Sequence, residues 1–454
     1  MRDQNKIWYV LGMLLLIMTK ALPTTAQRPN IIFLLTDDHR ADALGVAGNP
    51  FIQTPHLDRM AQEGIRFSNA YVTTSICSVS RASILSGQYM SRHRIEDFSS
   101  NFSGEAMSQT YPLLLKAAGY KIGFIGKYGV GNNPPADQFD YWACNREGQP
   151  PYEYIRKDGS KVHHTDSLAN GVDQFLQKFG SQSPFCLSVS FKAPHELDGS
   201  PPTYPVQERY QSLYQNITIP RPETADPAYW NAFPDFFRTD QNIGRERWKP
   251  LFSTPELHQK TVKDYYRLIS GVDEVVGKLR KQLESLGVAD NTVIIFMGDN
   301  GFALGEHGLE GKWFGFEESI RVPLLIYDPR KGSKRGITEQ RIALNIDIAP
   351  TILNVAGLKV PDQMQGTNLL AKKPLNRKEF FYEHTFLGSP RLPKIEGVVR
   401  KDIKYMKFIE HDYEQLYLLK EDPLEKENQA HNTQYAKKLK VLRERYKDLK
   451  NMVK

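Results

Sequence analysis

Oxygen-bearing side chains follow two apolar segments of the sequence, at the point where each segment ends. Asp37 and Asp38 follow the segment "NIIFLL" after one threonine, and Asp299 and Asn300 directly follow "TVIIFMG". Carboxylate and amide oxygens are the hard ligands that Ca²⁺ and Mg²⁺ take in proteins. Either pair alone is more often a helix cap or a turn. Both pairs together, if the segments are strands of one sheet, predict a divalent-cation site.

Basic side chains occupy similar positions elsewhere in the chain. Lys127 directly follows the segment "KIGFIG", and His195 follows a proline at the end of "FCLSVSFKAP". A lysine ammonium suits a cluster of anionic oxygens, and Lys312 offers a second such charge. A histidine at a strand end can act as a general acid or bind an anion. His307 and His384 are further candidates for the same pocket.

Short apolar segments alternate with helical patterns. Segments rich in β-branched residues and bounded by polar breakers are typical of buried strands, and they cover 30–35, 121–126, 185–191 and 292–298. The clearest helical stripe runs from Val262 to Leu286, and shorter helices fit 56–63 and 348–355. The alternation predicts an α/β fold with a mostly parallel central sheet. Because ligands bind beyond the carboxyl ends of parallel strands, the candidate side chains should meet at one edge.

The first residues have the composition of a secretory signal. Arg2 and Lys6 precede an apolar run, and a small-residue cleavage site ends at Ala26. We predict a signal peptide over 1–26, export to the periplasm or beyond, and no membrane span, because no later segment approaches about 20 apolar residues. We also predict a catalytic domain over 27–370 and a smaller α+β domain over 371–454. Short strand patterns and a final helix give the smaller domain an antiparallel sheet.

The charge balance indicates the kind of partner. The formal net charge is +7 and the pI is about 9.0, which favours a polyanion. Nucleic acid, anionic lipid and acidic polysaccharide all meet that description, and export makes nucleic acid the least suitable. The stretch from Pro201 to Pro255 is rich in proline and aromatic residues without clear periodicity. Such a stretch is typical of a loop over a sheet edge that selects substrate.

Cysteine usage singles out one residue. The chain has three cysteines, Cys77, Cys144 and Cys186. Disulfides persist in an oxidising compartment, and an odd number of cysteines leaves one over. We expect Cys144 to pair with Cys186. Cys77 is then free, in the serine-rich stretch "SICSVSRASILSG", four residues before Arg81.

These motifs together resemble the sulfatase family. "CSVSRASILSG" is similar to the family's signature, in which a cysteine is oxidised to Cα-formylglycine. "NIIFLLTDDHRADALG", "GFIGKYGVG", "SFKAPH" and "GDNGFALGEHGLEGKWFGFEESIRVPL" resemble its metal, lysine and histidine segments, in the family's order. The match covers nearly the whole mature chain. It implies an alkaline-phosphatase-like fold and hydrolysis of sulfate esters, most like exported bacterial enzymes that act on sulfated polysaccharides.

The resemblance also implies a role for each candidate residue. Cys77 would be converted by a formylglycine-generating maturation enzyme to an aldehyde, and a hydroxyl of its hydrate would attack sulfur. Arg81 would orient that hydrate, and His195 would lie near the leaving oxygen. Lys127 and Lys312 would neutralise the sulfate oxygens. The implied ligands of Ca²⁺, with Mg²⁺ as the alternative ion, are Asp37, Asp38, residue 77, Asp299 and Asn300.

Two positions depart from the family pattern. Val79 stands where the signature has proline or alanine, and Gly129 stands where a histidine often follows the strand lysine. His307 is a candidate to replace that histidine. Two alternatives therefore stay open: a phosphoester or phosphonate hydrolase of the same superfamily, and a non-catalytic polyanion-binding protein with an unconverted Cys77. Ulvan, carrageenan and glycosaminoglycans all fit as the sulfated substrate.

Overall fold

The computed structural model describes residues 28–145, 148–156, 158–182 and 184–454. The predicted signal peptide, residues 1–26, lies outside the described residues. Within these ranges, sixteen strands form four sheets: β1 Asn30–Asp37, β2 Ile65–Tyr71, β3 Lys121–Gly126, β4 Tyr141–Cys144, β5 Glu153–Ile155, β6 Lys161–His163, β7 Phe185–Pro194, β8 Thr292–Gly298, β9 Ala303–Leu304, β10 Glu310–Gly311, β11 Leu324–Tyr327, β12 Ile337–Leu344, β13 Glu379–His384, β14 Ile395–Arg400, β15 Lys404–Phe408 and β16 Tyr413–Tyr417.

The central sheet has eight strands in the order β12, β2, β11, β8, β1, β7, β3, β4. Only β11 runs antiparallel to its neighbours, so the prediction of a mostly parallel sheet is confirmed. Every residue of β1, β7 and β8 is buried, because helices cover both faces of these strands. Their continuous apolar sequences are typical of strands in that position.

Twelve α-helices accompany the sheets in the described part of the chain. They are α1 Pro55–Glu63, α2 Cys77–Ser86, α3 Met90–His93, α4 Gly104–Ser108, α5 Tyr111–Ala117, α6 His164–Phe179, α7 Pro227–Asn231, α8 Ile243–Phe252, α9 Pro255–Ser285, α10 Glu317–Ile320, α11 Ile348–Val355 and α12 Ala436–Met452. The predicted long helix is α9, which begins earlier than its apolar stripe because the Thr254 hydroxyl accepts a hydrogen bond from the Leu257 N–H. No helix of the described residues is both long and apolar enough to cross a membrane.

The predicted antiparallel sheet near the C-terminus is present as β13, β14, β15 and β16, with α12 packed against it. Its apolar side chains share one core with the segment 309–320, through residues such as Trp313, Phe316 and Tyr405. This shared core joins the sheet to the part of the chain that carries Lys312. The boundary at residue 371 stays a prediction.

The expected disulfide between Cys144 and Cys186 is wrong. Both cysteines are free thiols: Cys144 lies in β4, Cys186 lies in β7, and β3 runs between them. Two steps across a sheet span about 9.6 Å, and the two residues also stand opposite different positions of β3, Gly126 and Ile122. A disulfide requires Cα atoms within about 7 Å of each other. The spacing of the cysteines in the sequence could not predict that β3 lies between β4 and β7.

Candidate active site

The carboxyl ends of four adjacent strands bring the candidate residues to one edge of the central sheet. Thr36 of β1 stands opposite Gly298 of β8, and Asp37 stands opposite Pro194 of β7. On the far side of β7, Gly126 of β3 stands opposite Ser190. The side chains that follow these strand ends are Asp38, Lys127, His195, Asp299 and Asn300.

The acidic residues form a buried cluster. Asp37, Asp38, Asp299 and Asn300 have no solvent-exposed surface. The Asp38 N–H donates to Asp299 Oδ1 at 3.1 Å, and Asn300 Nδ2 donates to Asp38 Oδ1 at 2.5 Å. Two oxygens of the cluster, Asp37 Oδ1 and Asn300 Oδ1, accept no hydrogen bond from the described residues.

Such orphaned oxygens fit a cation. Buried polar atoms almost always have a partner, and a group of carboxylate and amide oxygens is the ligand set of Ca²⁺ or Mg²⁺. Cys77 Sγ and carboxylate oxygens of Asp37 and Asp299 all lie within 4.8 Å of one another. Residue 77 is therefore close enough to share an ion with the acids.

The pKa values of the acids reflect their surroundings. Burial raises the pKa of Asp38, and burial together with the neighbouring Asp37 raises the pKa of Asp299 to about 7. Burial acts in the same direction on Asp37, but Lys127, His195 and Arg81 outweigh it and hold that pKa far below its usual range. Burial therefore disfavours the charged forms of Asp38 and Asp299 in the protein alone, and a divalent cation beside them would stabilise those charged forms.

Each basic candidate contacts one of these acids. Lys127 pairs with Asp37, and Lys312 Nζ lies 2.6 Å from Asp38 Oδ1. His195 Nε2 lies 3.4 Å from Asp38 Oδ2. Although burial disfavours a charged lysine, Asp37 raises the pKa of Lys127, and Asp38 raises that of Lys312. Both lysines are therefore fixed positive charges within the site.

Cys77 is the first residue of α2, a helix in which every residue is buried. Arg81 follows one turn later, and its Nε lies 2.8 Å from Asp299 Oδ2. Arg81 also donates to the Lys127 carbonyl oxygen at 2.6 Å and to the Ser190 hydroxyl. Burial raises the pKa of the Cys77 thiol, whereas a cysteine that acts as a thiolate nucleophile needs a lowered one. An unmodified Cys77 is therefore poorly suited to nucleophilic attack.

A cavity of about 850 Å³ opens above Cys77, large enough for a sugar. It includes residues from both ends of the proline-rich and aromatic stretch, which the sequence predicted to lie over the sheet edge. The lining residues outside that stretch are Cys77, Phe98, Gln149, His195, Asp198, Gly199, Ser200, Lys312, Trp313, Phe386, Arg391 and Leu392. A second cavity, of about 560 Å³, is lined by residues such as Arg40 and Tyr266 and includes none of the predicted site residues.

Three residues of the site were missed from the sequence. Gln149 Nε2 lies 3.2 Å from His195 Nε2 at the cavity wall. Glu196 Oε2 lies 3.7 Å from His195 Nδ1, and its other oxygen pairs with Arg247 at 2.6 Å. Ser190 receives the Arg81 hydrogen bond. Only the position of Glu196, directly after His195, gave any signal in the sequence.

The structure does not bring His307 or His384 to the cavity. The His307 ring stacks on Phe316, with ring centroids 4.3 Å apart, inside the aromatic core. His384 is buried at the end of β13, and its ring nitrogens have no hydrogen-bond partner among the described residues. Burial lowers the pKa of both rings to about 3, so both are neutral. Neither ring lines the cavity around Cys77.

The expectation that His307 replaces a histidine at position 129 therefore has no geometric support. Gly129 itself has a steric explanation. Its φ is +68°, and a Cβ there would lie 2.9 Å from Arg81 Cδ and 3.3 Å from Lys127 Cε. A side chain at position 129 would displace Arg81.

Comparison with known proteins decides the family. The family model named Sulfatase matches residues 29–358, and a model for the C-terminal region of N-sulphoglucosamine sulphohydrolase matches residues 305–452. This chain belongs to the sulfatase family. The sulfatase is therefore a sulfuric ester hydrolase, as its motifs indicated, and the resemblance noted in the sequence is confirmed.

Individual relatives agree with this assignment. An N-acetylglucosamine-6-O-sulfatase of Bacteroides thetaiotaomicron is 30% identical over 92% of this chain and 85% of its own length. An arylsulfatase of Clostridium perfringens is 29% identical over 92% and 93%. A structure solved in complex with its substrate D-glucosamine-2-N,6-O-disulfate superposes with a TM-score of 0.81 at 29% identity, covering 94% of this sulfatase and 98% of that chain.

The fold is also that of a phosphonate monoester hydrolase of Agrobacterium radiobacter, with a TM-score of 0.78 over 94% of this chain and 96% of the other. At 23% identity this likeness concerns the fold alone. The predicted α/β, alkaline-phosphatase-like architecture is confirmed by the mostly parallel central sheet and by the sulfatase structure at 29% identity.

Proposed function

We propose that this sulfatase removes sulfate from a sulfated carbohydrate, with residue 77 converted to formylglycine and a divalent cation, Ca²⁺ or Mg²⁺, held beside it. One observation carries the proposal. Cys77 lies at the base of a sugar-sized cavity, where buried acids with orphaned oxygens and two buried lysines converge. The cation would be held by Asp37, Asp38, Asp299, Asn300 and residue 77.

Formylglycine and a divalent cation would supply chemistry that the encoded side chains lack. When residue 77 is an aldehyde, its hydrate provides an oxygen nucleophile for sulfur, and a bound cation provides Lewis-acid charge. Val79 of the signature lies in α2 and is fully buried in the apolar core.

The chain's own residues bind and orient the ester. Lys127 and Lys312 offer two fixed positive charges for the sulfate oxygens, and their salt bridges with Asp37 and Asp38 hold them in place before substrate arrives. Arg81 is held by Asp299, by the Lys127 carbonyl oxygen and by Ser190. Its guanidinium is thus a fixed positive charge one helical turn after residue 77. Burial of these groups excludes water from the charges.

His195 is positioned to protonate the leaving sugar oxygen. Its ring lines the cavity, and its Nδ1 lies 2.6 Å from the Glu196 carbonyl oxygen, which fixes a proton on that nitrogen. The Nε2 atom then faces the site and Gln149. Because Nδ1 keeps its proton, His195 donates from Nε2 as the imidazolium, and that second proton passes to the leaving oxygen as the S–O bond breaks.

A 6-O-sulfated glucosamine unit is the substrate we propose within this class. The relative from Bacteroides thetaiotaomicron is named for that position, and the similar solved structure holds a glucosamine disulfate. The basic balance of the chain suits a polyanionic polysaccharide of which such a unit is part. We further propose that the protein is exported and that a formylglycine-generating enzyme converts residue 77.

The test is sulfate release from N-acetylglucosamine 6-sulfate, measured beside phosphate release from the matching 6-phosphate. Protein is produced together with a formylglycine-generating enzyme and assayed with Ca²⁺. We expect sulfate release with the larger kcat/KM. Faster phosphate release would favour a phosphoester hydrolase, and binding of sulfated sugar without release of either anion would favour a non-catalytic protein.

A further inference from the structure

Tyr382 of the C-terminal sheet contacts both segments that carry the proposed catalytic groups. Its hydroxyl donates to the Trp313 carbonyl oxygen at 2.7 Å and lies 2.6 Å from Ser75 Oγ, which is left to donate to it. Ser75 stands two residues before Cys77, and Trp313 directly follows Lys312. Tyr382 has no exposed surface. One buried hydroxyl therefore joins the segment of residue 77 to the segment of Lys312.

The backbone of Trp313 depends on this connection. Its φ is +86°, in the left-handed region that large side chains rarely adopt and that persists only where the surroundings enforce it. The Trp313 N–H donates to the Ser75 carbonyl oxygen at 3.2 Å, and its own carbonyl accepts from Tyr382. Ser75 and Tyr382 thus satisfy both backbone groups of a strained residue.

A second side chain of the same sheet holds the other end of this loop. Lys404 of β15 is fully buried and donates to the Gly315 carbonyl oxygen at 2.7 Å. Its ammonium also pairs with Glu317 and Glu425, each at 2.8 Å. The C-terminal sheet therefore holds the segment 312–317 at both ends. Tyr382 holds the end that carries Lys312, and Lys404 holds the other end.

We propose that Tyr382 is a positioning residue for sulfate ester hydrolysis, which holds Lys312 and residue 77 at the spacing that a sulfate group requires. The proposal rests on the roles proposed above for those two residues. Tyr382 does not line the cavity, so it acts through Trp313 and Ser75 and not on substrate. Without its hydroxyl, the strained peptide at Trp313 can relax and carry the Lys312 ammonium away from the sulfate. A small displacement of a charged group weakens both sulfate binding and turnover.

The test compares two tyrosine-to-phenylalanine variants. Tyr382→Phe removes the proposed link, and Tyr446→Phe removes a hydroxyl that bonds Glu396 on the far side of the same sheet. For each variant we measure kcat and the inhibition constant of inorganic sulfate, which we expect to bind between the two lysines without turnover. Rates are expressed per chain in which residue 77 is converted, as counted by mass spectrometry.

We expect Tyr382→Phe to lower kcat and weaken sulfate inhibition about ten-fold each, the effect of about one net hydrogen bond lost from the support of a charge. Tyr446→Phe should leave kcat and the inhibition constant within about two-fold of those of the unchanged protein. Its thermal stability should fall about as much as that of Tyr382→Phe, since each variant loses about one hydrogen bond. Equal values of kcat and inhibition constant in the two variants would overturn the proposal.

Two further variants keep the test decisive. If Tyr382→Phe fails to fold, Ser75→Ala carries the test, because it removes one of the two hydroxyl contacts. A larger inhibition constant for sulfate in Ser75→Ala, which means weaker binding, supports the proposal, and an unchanged constant overturns it. Lys312→Ala tests the proposed function separately from the role of Tyr382: full activity in that variant would contradict the proposed function itself. An inactive Lys312→Ala beside an unaffected Tyr382→Phe would remove only the role of Tyr382.

Discussion

The Lys312 ammonium lies 2.6 Å and 2.7 Å from the two carboxylate oxygens of Asp38, and neither side chain is more than 4% exposed. Asp38 is also one of the proposed cation ligands. The same carboxylate thus contacts a fixed positive charge and Asn300, another proposed ligand of the cation. Binding of the ion and binding of the sulfate are therefore connected through Asp38.

Replacing Lys312 by alanine should lower kcat/KM for the sulfate ester by at least about 10², because it removes a preorganised charge from a buried site. Lys260→Ala is the matched control, since that lysine is exposed on α9 and pairs with Asp264. Steady-state kinetics with both variants checks the prediction. A Lys312→Ala enzyme as active as the control would contradict the role of this lysine.

Replacing Asp299 by asparagine should abolish stabilisation by Ca²⁺. An ion that binds only the folded protein raises its stability by RT ln(1 + [Ca²⁺]/Kd), so thermal unfolding reports binding without any assay of activity. We expect the melting temperature of the unchanged protein to rise with Ca²⁺ and to fall with a chelator. The melting temperature of Asp299→Asn should respond to neither.

Asp328→Asn is the control for the cation site. Asp328 also follows a strand of the central sheet, but its carboxylate pairs with Arg330 and not with the acidic cluster. Its variant should keep the full response to Ca²⁺. An Asp299→Asn protein that still gains stability from Ca²⁺ would contradict the proposed ligand set.

Replacing Asp347 by alanine should destabilise the whole chain. This fully buried carboxylate pairs with Arg377 at 2.7 Å and 2.8 Å and accepts backbone hydrogen bonds from Leu344 and Thr367. Removing one partner of a buried ion pair costs about 3–5 kcal/mol. Urea unfolding measures this loss, and Asp362→Ala, at an exposed pair with Lys359, should change stability by less than about 1 kcal/mol.

This unfolding experiment also bears on the predicted domain boundary. Asp347 lies before residue 371 and Arg377 lies after it, so the pair joins the two predicted domains. A single cooperative transition that shifts as a whole in Asp347→Ala indicates one folding unit. Two separate transitions, with only one of them shifted, would favour independent domains.

The sequence predicted the strand ends of the site well because local patterns define them. Continuous apolar runs such as that of β1 are buried on both faces, and polar residues after them meet at one sheet edge for topological reasons. The prediction that Asp37, Lys127, His195 and Asp299 meet at this edge rested on these patterns, and their role in the site stays a proposal. The sulfatase signature then identified Cys77 and Arg81, which no periodicity distinguishes from an ordinary helix start.

The sequence could not predict contacts between distant segments. Gln149 reaches His195 from a loop, and Tyr382 reaches Ser75 across 307 positions of the chain. The strand between Cys144 and Cys186 depends on sheet order, which spacing does not reveal. His307 follows the metal strand closely, yet the turn at Gly305, with φ of +107°, directs it into the aromatic core.

The central claim is that residue 77 is formylglycine in the active enzyme. Mass spectrometry of the tryptic peptide covering 67–81 tests it most directly, on protein that has been shown to release sulfate. We expect a loss of about 18 Da relative to the unmodified peptide, because a CH₂SH group becomes an aldehyde. Full sulfatase activity from protein whose residue 77 is entirely an unmodified thiol would contradict it.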